Sequence, residues 1–307
     1  GLKAEQRFAI IEMGMNHLGE IDYLTRLVQP DVALITNAGP CHLEGVGGTV
    51  AGVAQAKGEI FAGLKSEGMA VLNQDDAYFP LWQKLAGGRR VLGYGLQAGA
   101  EVQGKFTDKG IIVSYQHQKL EVYLQLLGQH NALNALAAAA AALAQNLDLA
   151  LIQAALSEVK PTPQRMQKKI GKNSVTFIDD SYNANPLSLG AALETLARFP
   201  GKKILVLGEM RELGEQGASL HQQAGARAKN LGIDALYGLG ELTQHSIIGF
   251  GKGAEYFDSK AALIKALEHQ LATDTTILVK GSNSMAMWEV VEVLTNAESY
   301  MQIQFLK

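Results

Sequence analysis

The chain has 307 residues, of which 47% are hydrophobic and 19% charged, with a formal net charge of −3; this suits a soluble globular protein long enough for two separate cores. No basic cluster interleaves with aromatics, so the electrostatic footprint of a nucleic-acid binder is absent. Cys41 is the single cysteine, which excludes a disulfide framework and a thiolate metal cage, as in a reducing compartment.

The opening GLKAEQRFAIIEMG lacks the basic segment and long apolar run of a signal or transit peptide. The longest low-polarity stretch, Ala135 to Ala144, is mostly alanine and too short for a bilayer span. A cytoplasmic protein is expected. Strand-like runs come first at Arg7 to Gly14, Asp31 to Gly39, Met69 to Asp76 and Arg89 to Gly95, with helices between them. Three further β-like runs, AEVQGKF, GIIVSYQ and KLEVYLQLL, are joined by short polar turns and read as an antiparallel meander at the sheet edge. Helices follow over Asn131 to Gln145 and Leu149 to Val159.

The stretch KPTPQRM, Lys160 to Met166, carries two prolines and favours an extended crossing. It marks a boundary between domains over residues 1–162 and 163–307. Beyond it the pattern restarts with VTFIDDSYNANP, KKILVLGEM, DALYGLG, AEYF and TTILVKGS, and with helices over 188–199, 221–231, 259–271 and 284–294. The predicted fold class is therefore α/β: a central domain with a mostly parallel sheet and an antiparallel edge meander, then a Rossmann-like α/β domain.

Ligands of open parallel sheets collect outside the carboxyl ends of the strands. The first strand ends in Glu12, Gly14, Asn16 and His17, and the second in Thr36 and Asn37, followed by His42 and Glu44. A carboxylate and a neutral imidazole are plausible ligands for a divalent cation, and Glu12 and His42 supply one each. In VAQAKGEIF, Lys57 lies four residues after Val53 and shortly before Ile60 and Phe61, on or beside a face that helical spacing would bury. Its alternatives are a lysine that lays its methylenes over apolar surface or one with a chemical task.

GQHNALNALAAAAAAL opens a helix with Asn131 and Asn134 where unpaired N–H groups and the positive dipole end sit. One cap does not require two amides and a histidine, so a nucleotide base or ribose is a candidate for the surplus donors. IDDSYNANP places Asp179, Asp180, Ser181 and Asn183 after a strand, and LVKGSNS places Lys280, Gly281 and Ser282 between a strand and a helix. The second turn is suited to a carboxylate or phosphate.

Together IEMGMNHLGEI, NAGPCHLEGVGG, VAQAKGEIF, GQHNALNALAAAA, DDSYNANP, VLGEMRELGE and LVKGS resemble, in order, the motifs of the Mur ligases. These are ATP-dependent amide ligases of bacterial cell-wall precursor synthesis. The likeness is greatest to members that add D-alanyl-D-alanine to a UDP-N-acetylmuramoyl tripeptide. The resemblance implies that Glu12 and His42 ligate Mg2+ and that Lys57 is the family's carbamylated lysine. A carbamate is an anion with two oxygens, so the modification turns a misplaced cation into a ligand for a hard metal. By the same resemblance Asn131 and Asn134 lie at the adenine and ribose of ATP, and Arg165 reaches the phosphates. Asp180 acts near the nucleotide, and Lys57, Asp180 and Lys280 carry the catalysis. Asn16, His17, Ser181, Asn183, Asn185 and Ser282 contact the two substrates.

Two features depart from the family pattern. A phosphate loop of the G-x-x-G-K-[ST] type should precede IIEMGMNH by several tens of residues, yet nine residues precede Ile10. The expectation is a chain that starts inside the ATP-binding domain, lacks the amino-terminal domain, and is inactive alone. Asn283 stands after KGS where an arginine is expected. The competing expectations are a related ligase of the folylpolyglutamate-synthase type and a non-catalytic binding fragment.

Overall fold

The computed structural model describes residues 3–41 and 43–295. Two compact units divide them. Residues up to Thr107, with Ile111–Val122 and Leu133–Ala154, form the first; Asp108–Gly110, Tyr123–Ala132 and the residues from Ala155 onward form the second.

The first unit holds a six-stranded sheet in sequential order: β1 (Val32–Ile35), β2 (Met69–Asn73), β3 (Arg90–Gly95), β4 (Val102–Thr107), β5 (Gly110–Tyr115) and β6 (Gln118–Tyr123). Strands β1 to β4 pair in parallel, β3 and β4 over only two residue pairs. The run from β4 to β6 forms the expected edge meander, each strand beside the next and separated by two residues. Helices α1 (Glu20–Val28), α2 (Val50–Gly58) and α3 (Phe79–Leu85) are the connectors. Their core contains Ala33, Ile35, Ala54, Phe61, Leu64, Leu72 and Trp82. The Trp82 indole N–H donates to the Ala54 carbonyl at 2.9 Å, tying α3 to α2.

One expected strand does not form. Arg7 to Gly14 forms no strand with any of the described residues, and Ile10 is 98% exposed. Apolar alternation favours a strand only where a neighbour completes the backbone ladder, and β1 is the edge of the described sheet.

Helices α4 (Gln129–Ala144) and α5 (Leu149–Glu158) match the expected pair. The second unit is a three-layer α/β structure with strand order β11-β10-β9-β12-β8-β7. Its strands are β7 (Gln167–Ile170), β8 (Thr176–Asp180), β9 (Lys202–Gly208), β10 (Ala235–Leu239), β11 (Ala254–Phe257) and β12 (Thr275–Lys280). All pairs are parallel except β7 with β8.

Alternate strand residues feed two cores. Ile178, Leu205, Leu207, Leu236 and Leu278 pack with α6 (Pro186–Ala197), α7 (Gly217–Asn230) and Phe250 of α8 (Thr243–Phe250) on one face. Phe177, Ile204, Val206, Ile277 and Val279 pack with α9 (Lys260–Glu268) and α10 (Trp288–Thr295) on the other. Such two-faced burial is why these strands read as continuous apolar runs. No helix among the described residues is long and apolar enough to cross a membrane.

Candidate functional site

In the first unit, α2 starts at Thr49, whose hydroxyl accepts from the Gly52 N–H at 3.1 Å. The helix buries Val53, Ala54 and Ala56 and leaves Lys57 half-buried in its last turn. Two residues on, the Glu59 carboxylate accepts from the Gly19 N–H at 2.8 and 3.0 Å and from the Asp22 N–H at 3.3 Å. Gly19 has no capping side chain of its own, so Glu59 satisfies the orphan donors of α1 and complements its dipole. The Thr25 hydroxyl donates to the Ile60 carbonyl at 2.7 Å and completes the junction.

Asn16 and His17 are exposed, and their backbone N–H groups donate to Glu20 Oε2 at 2.6 and 3.1 Å. Those two bonds hold the Glu20 carboxyl below the usual range. Glu12 is exposed on the segment that forms no strand, and His42 lies outside the described residues. Among the described residues no trio of His, Cys, Asp or Glu gathers to hold a metal ion. Glu12 offers carboxylate oxygen and a carbamate on Lys57 would add more, so this donor chemistry suits a hard cation.

The carboxyl ends of β1 to β3 are laced together by residues that carried no motif. Asp75 accepts from the Leu96 and Gln97 N–H groups, Asp76 from Ala38 and Tyr78, and the Asn73 amide donates to the Thr36 carbonyl. Tyr94 is fully buried with its hydroxyl 3.3 Å from the carbonyls of Ile35 and Thr36, and burial holds its phenol neutral.

In the second unit, Asp180 and Lys280 end two adjacent parallel strands. Lys280 Nζ donates to Asp180 Oδ2 at 2.5 Å and to the Asn183 carbonyl at 2.9 Å; the other Asp180 oxygen accepts from the Met166 N–H at 3.1 Å. The remaining predicted residues divide between this cluster and local structure. The Ser181 hydroxyl donates to buried Asp179, which also pairs with Lys169 at 2.8 Å. Asn183 Oδ1 accepts from the Ala184 N–H. Asn185 caps α6 in a reciprocal box with Ser188, ahead of Pro186 in the first turn. The Arg165 guanidinium lies 4.1 Å from the Tyr182 ring centroid, and the Asn283 amide donates to the Tyr182 carbonyl at 3.0 Å.

Asn131 donates to the Leu127 carbonyl at 2.7 Å, while Asn134 is exposed on α4. Between Leu127 and Asn131 stands His130, whose Nδ1 is buried without a hydrogen-bond partner among the described residues. Burial lowers its pKa first, and the charges of Asp180, Lys280 and Glu194 modulate it. Its signal was visible beside the two asparagines, although neither composition nor spacing showed that the ring would be buried near Asp180 and Lys280.

A second group was missed. Arg211 Nε lies 3.3 Å from Glu209 Oε2, Nη1 donates to Ser284 Oγ at 2.9 Å, and its backbone N–H donates to Ser282 Oγ at 2.8 Å. These residues close the ends of β9 and β12.

Comparison with known proteins agrees with this architecture. Residues 2–142 match the Mur ligase middle domain and residues 164–283 match the Mur ligase, glutamate ligase domain. The chain belongs to the Mur ligase family. It is 40% identical over 305 residues to the UDP-N-acetylmuramoyl-tripeptide--D-alanyl-D-alanine ligase of Escherichia coli K12, covering 95% of this chain and 66% of that protein. The enzyme of the same name from Bacillus subtilis 168 is 34% identical, with coverages of 93% and 64%. The chain thus spans just under two thirds of these curated relatives. Among solved structures, MurF from Acinetobacter baumannii superposes with a TM-score of 0.88 at 30% identity, covering 95% of this chain and 66% of that one. MurF from Thermotoga maritima, solved in complex with ADP, gives 0.80 at 26% identity, with coverages of 91% and 65%.

Proposed function

We propose that the protein carrying this chain is an ATP-dependent amide ligase of peptidoglycan precursor synthesis, working in the cytoplasm. It joins D-alanyl-D-alanine to a UDP-N-acetylmuramoyl tripeptide. The observation that carries this reading is the 40% identity, over nearly the whole chain, to an enzyme of that name.

The terminal carboxylate of the tripeptide takes the γ-phosphoryl group of ATP and ADP leaves. The dipeptide amine, having lost its proton, then attacks the acyl phosphate carbonyl and expels inorganic phosphate. The chain's own residues bind, orient and exclude water around these steps. Asn131 and Asn134 serve the adenine and ribose, Arg165 the phosphates, and Asp180 and Lys280 the reacting groups. Asn16, His17, Ser181, Asn183, Asn185 and Ser282 serve the two acceptor and donor substrates.

Lys57 supports the reading physically. An ammonium there would repel a metal ion. Attack of the neutral amine on carbon dioxide forms an N–C bond, releases a proton and leaves a carbamate, which with Glu12 and His42 would hold Mg2+. Bound magnesium offsets negative charge on the transferring phosphoryl group.

The test is ADP release by the intact protein with UDP-N-acetylmuramoyl tripeptide, with and without D-alanyl-D-alanine. Dipeptide-dependent release is expected, together with a carboxyl-sized mass increment on Lys57 in native mass spectra under carbon dioxide. Release that ignores the dipeptide overturns the reading.

A further inference from the structure

Arg165 stands in a stretch whose backbone is held in an unfavourable shape. The residues on either side of it, Gln164 and Met166, have φ of 62° and 50°, in the left-handed region that residues other than glycine rarely enter. Such a conformation persists only where surrounding contacts enforce it. Three contacts do so here. The Gln164 carbonyl accepts from the Tyr182 N–H at 3.1 Å, the Met166 N–H donates to Asp180 Oδ1 at 3.1 Å, and the Met166 side chain is buried in the core that includes Ile178 and Leu189.

These tethers fasten the stretch to the turn after β8, and their consequence falls on Arg165. Its guanidinium carbon lies over the Tyr182 ring, 4.1 Å from the centroid. The Tyr182 peptide is fixed on both sides: its N–H is bound by Gln164, and its carbonyl accepts from the Asn283 amide at 3.0 Å. Asn283, which departs from the family pattern, thus steadies Tyr182 from the loop after β12. Tyr182 is 44% exposed and Arg165 is exposed too, so the pair adds little to the core.

A free arginine side chain samples many rotamers, and fixing it when an anion arrives costs affinity. An aromatic ring that already holds the guanidinium by cation–π attraction removes part of that cost. The N–H groups at the guanidinium edge stay available to phosphate oxygens. We propose that Tyr182 is a positioning residue for ATP, its ring preorganising Arg165 for the nucleotide phosphates. This rests on the amide-ligase reading above and on the place of Arg165 at the phosphates within it. The strained backbone at Gln164 and Met166 is then the means by which the turn after β8 and the arginine are held in one piece.

The experiment measures ADP release by the intact ligase. An exposed cation–π contact corresponds to about twofold to fivefold in an equilibrium constant, so Tyr182→Leu should raise KM for ATP by that factor. The KM values for tripeptide and dipeptide should stay unchanged. Tyr182→Phe, which keeps the ring, should stay near wild type, and Tyr182→Leu should add nothing in an Arg165→Ala background. An unchanged ATP KM in the Leu variant, an equal increment with and without Arg165, or a Phe variant that behaves like Leu overturns the assignment while leaving the ligase intact. A second measurement does not depend on any variant folding. In intact wild type carrying isotope-labelled arginine, the Tyr182 ring current should displace the Arg165 side-chain proton signals upfield; signals at the ordinary arginine position overturn the assignment. Absence of dipeptide-dependent ADP release in wild type overturns both the ligase reading and this one.

Discussion

Lys280 and Asp180 are register partners on neighbouring parallel strands, and their side chains meet at 2.5 Å with Lys280 only 2% exposed. They are 100 residues apart in the chain. Their ion pair therefore fastens the ends of β12 and β8 to the turn at Asn183.

Removing one partner leaves a largely buried charge alone, which typically costs on the order of 3–5 kcal/mol. Lys280→Met should lower unfolding stability by about 3 kcal/mol. The double variant with Asp180→Asn should lose less than the two single losses combined. Denaturant unfolding of the four proteins in a double-mutant cycle tests this; additive losses would show that the pair is not coupled.

His221 gives the second unit a pH dependence. The ring is fully buried, Nδ1 donates to the Gly217 carbonyl at 2.8 Å and Nε2 accepts from the Met210 N–H at 3.0 Å, an arrangement that needs neutral imidazole. Burial lowers its pKa below the usual 6.5. The unfolded chain then binds a proton more readily than the folded one, so stability is full above pH 6.5 and falls as pH drops toward the folded value. His130 is shifted the same way. Thermal unfolding from pH 8 to pH 5 should show the decline, and His221→Gln, which keeps an acceptor without titrating there, should flatten it. An identical slope in the variant would remove His221 as the cause.

Glu59 should matter locally. Glu59→Ala strips the cap from α1, and capping losses usually amount to about 1–2 kcal/mol. Hydrogen exchange should accelerate at the amides of Gly19 and Asp22 before the β-sheet amides change. Uniform acceleration would mean that the helix does not open separately.

Gly281→Ala should destabilise the second unit by about 1–3 kcal/mol, because the added methyl meets Met287 and the backbone of Gly208. The midpoint of chemical denaturation reports it. No shift would mean that the β9 and β12 exits separate easily.

Most strands were legible because burial on two faces leaves uninterrupted apolar runs, as in KKILVLG and TTILVK. The exceptions have physical reasons. Arg7 to Gly14 carries strand residues without a strand neighbour among the described residues. Strand β7, QKKI, is an edge strand whose lysines hide its pairing. Helix α8 is only eight residues long, too short for a clear period. The motif residues Asp180 and Lys280 were visible singly, but their contact depends on β12 inserting between β8 and β9, which no local pattern records. Arg211 stands inside VLGEMRELGE, but its contacts with Ser282 and Ser284 come from a strand end about seventy residues away and leave no local signal.

The polar character of β7 bears on how this protein avoids sticking to itself. Open sheet edges invite strands from other molecules. In the second sheet one edge exposes Lys168 on β7 and the other exposes Glu255 on β11. A foreign strand docking on either side would bring its own side chains against a charge that must shed water. Crowded, freshly made copies of the chain are thus steered away from edge-to-edge aggregation by residues that contribute little to the core.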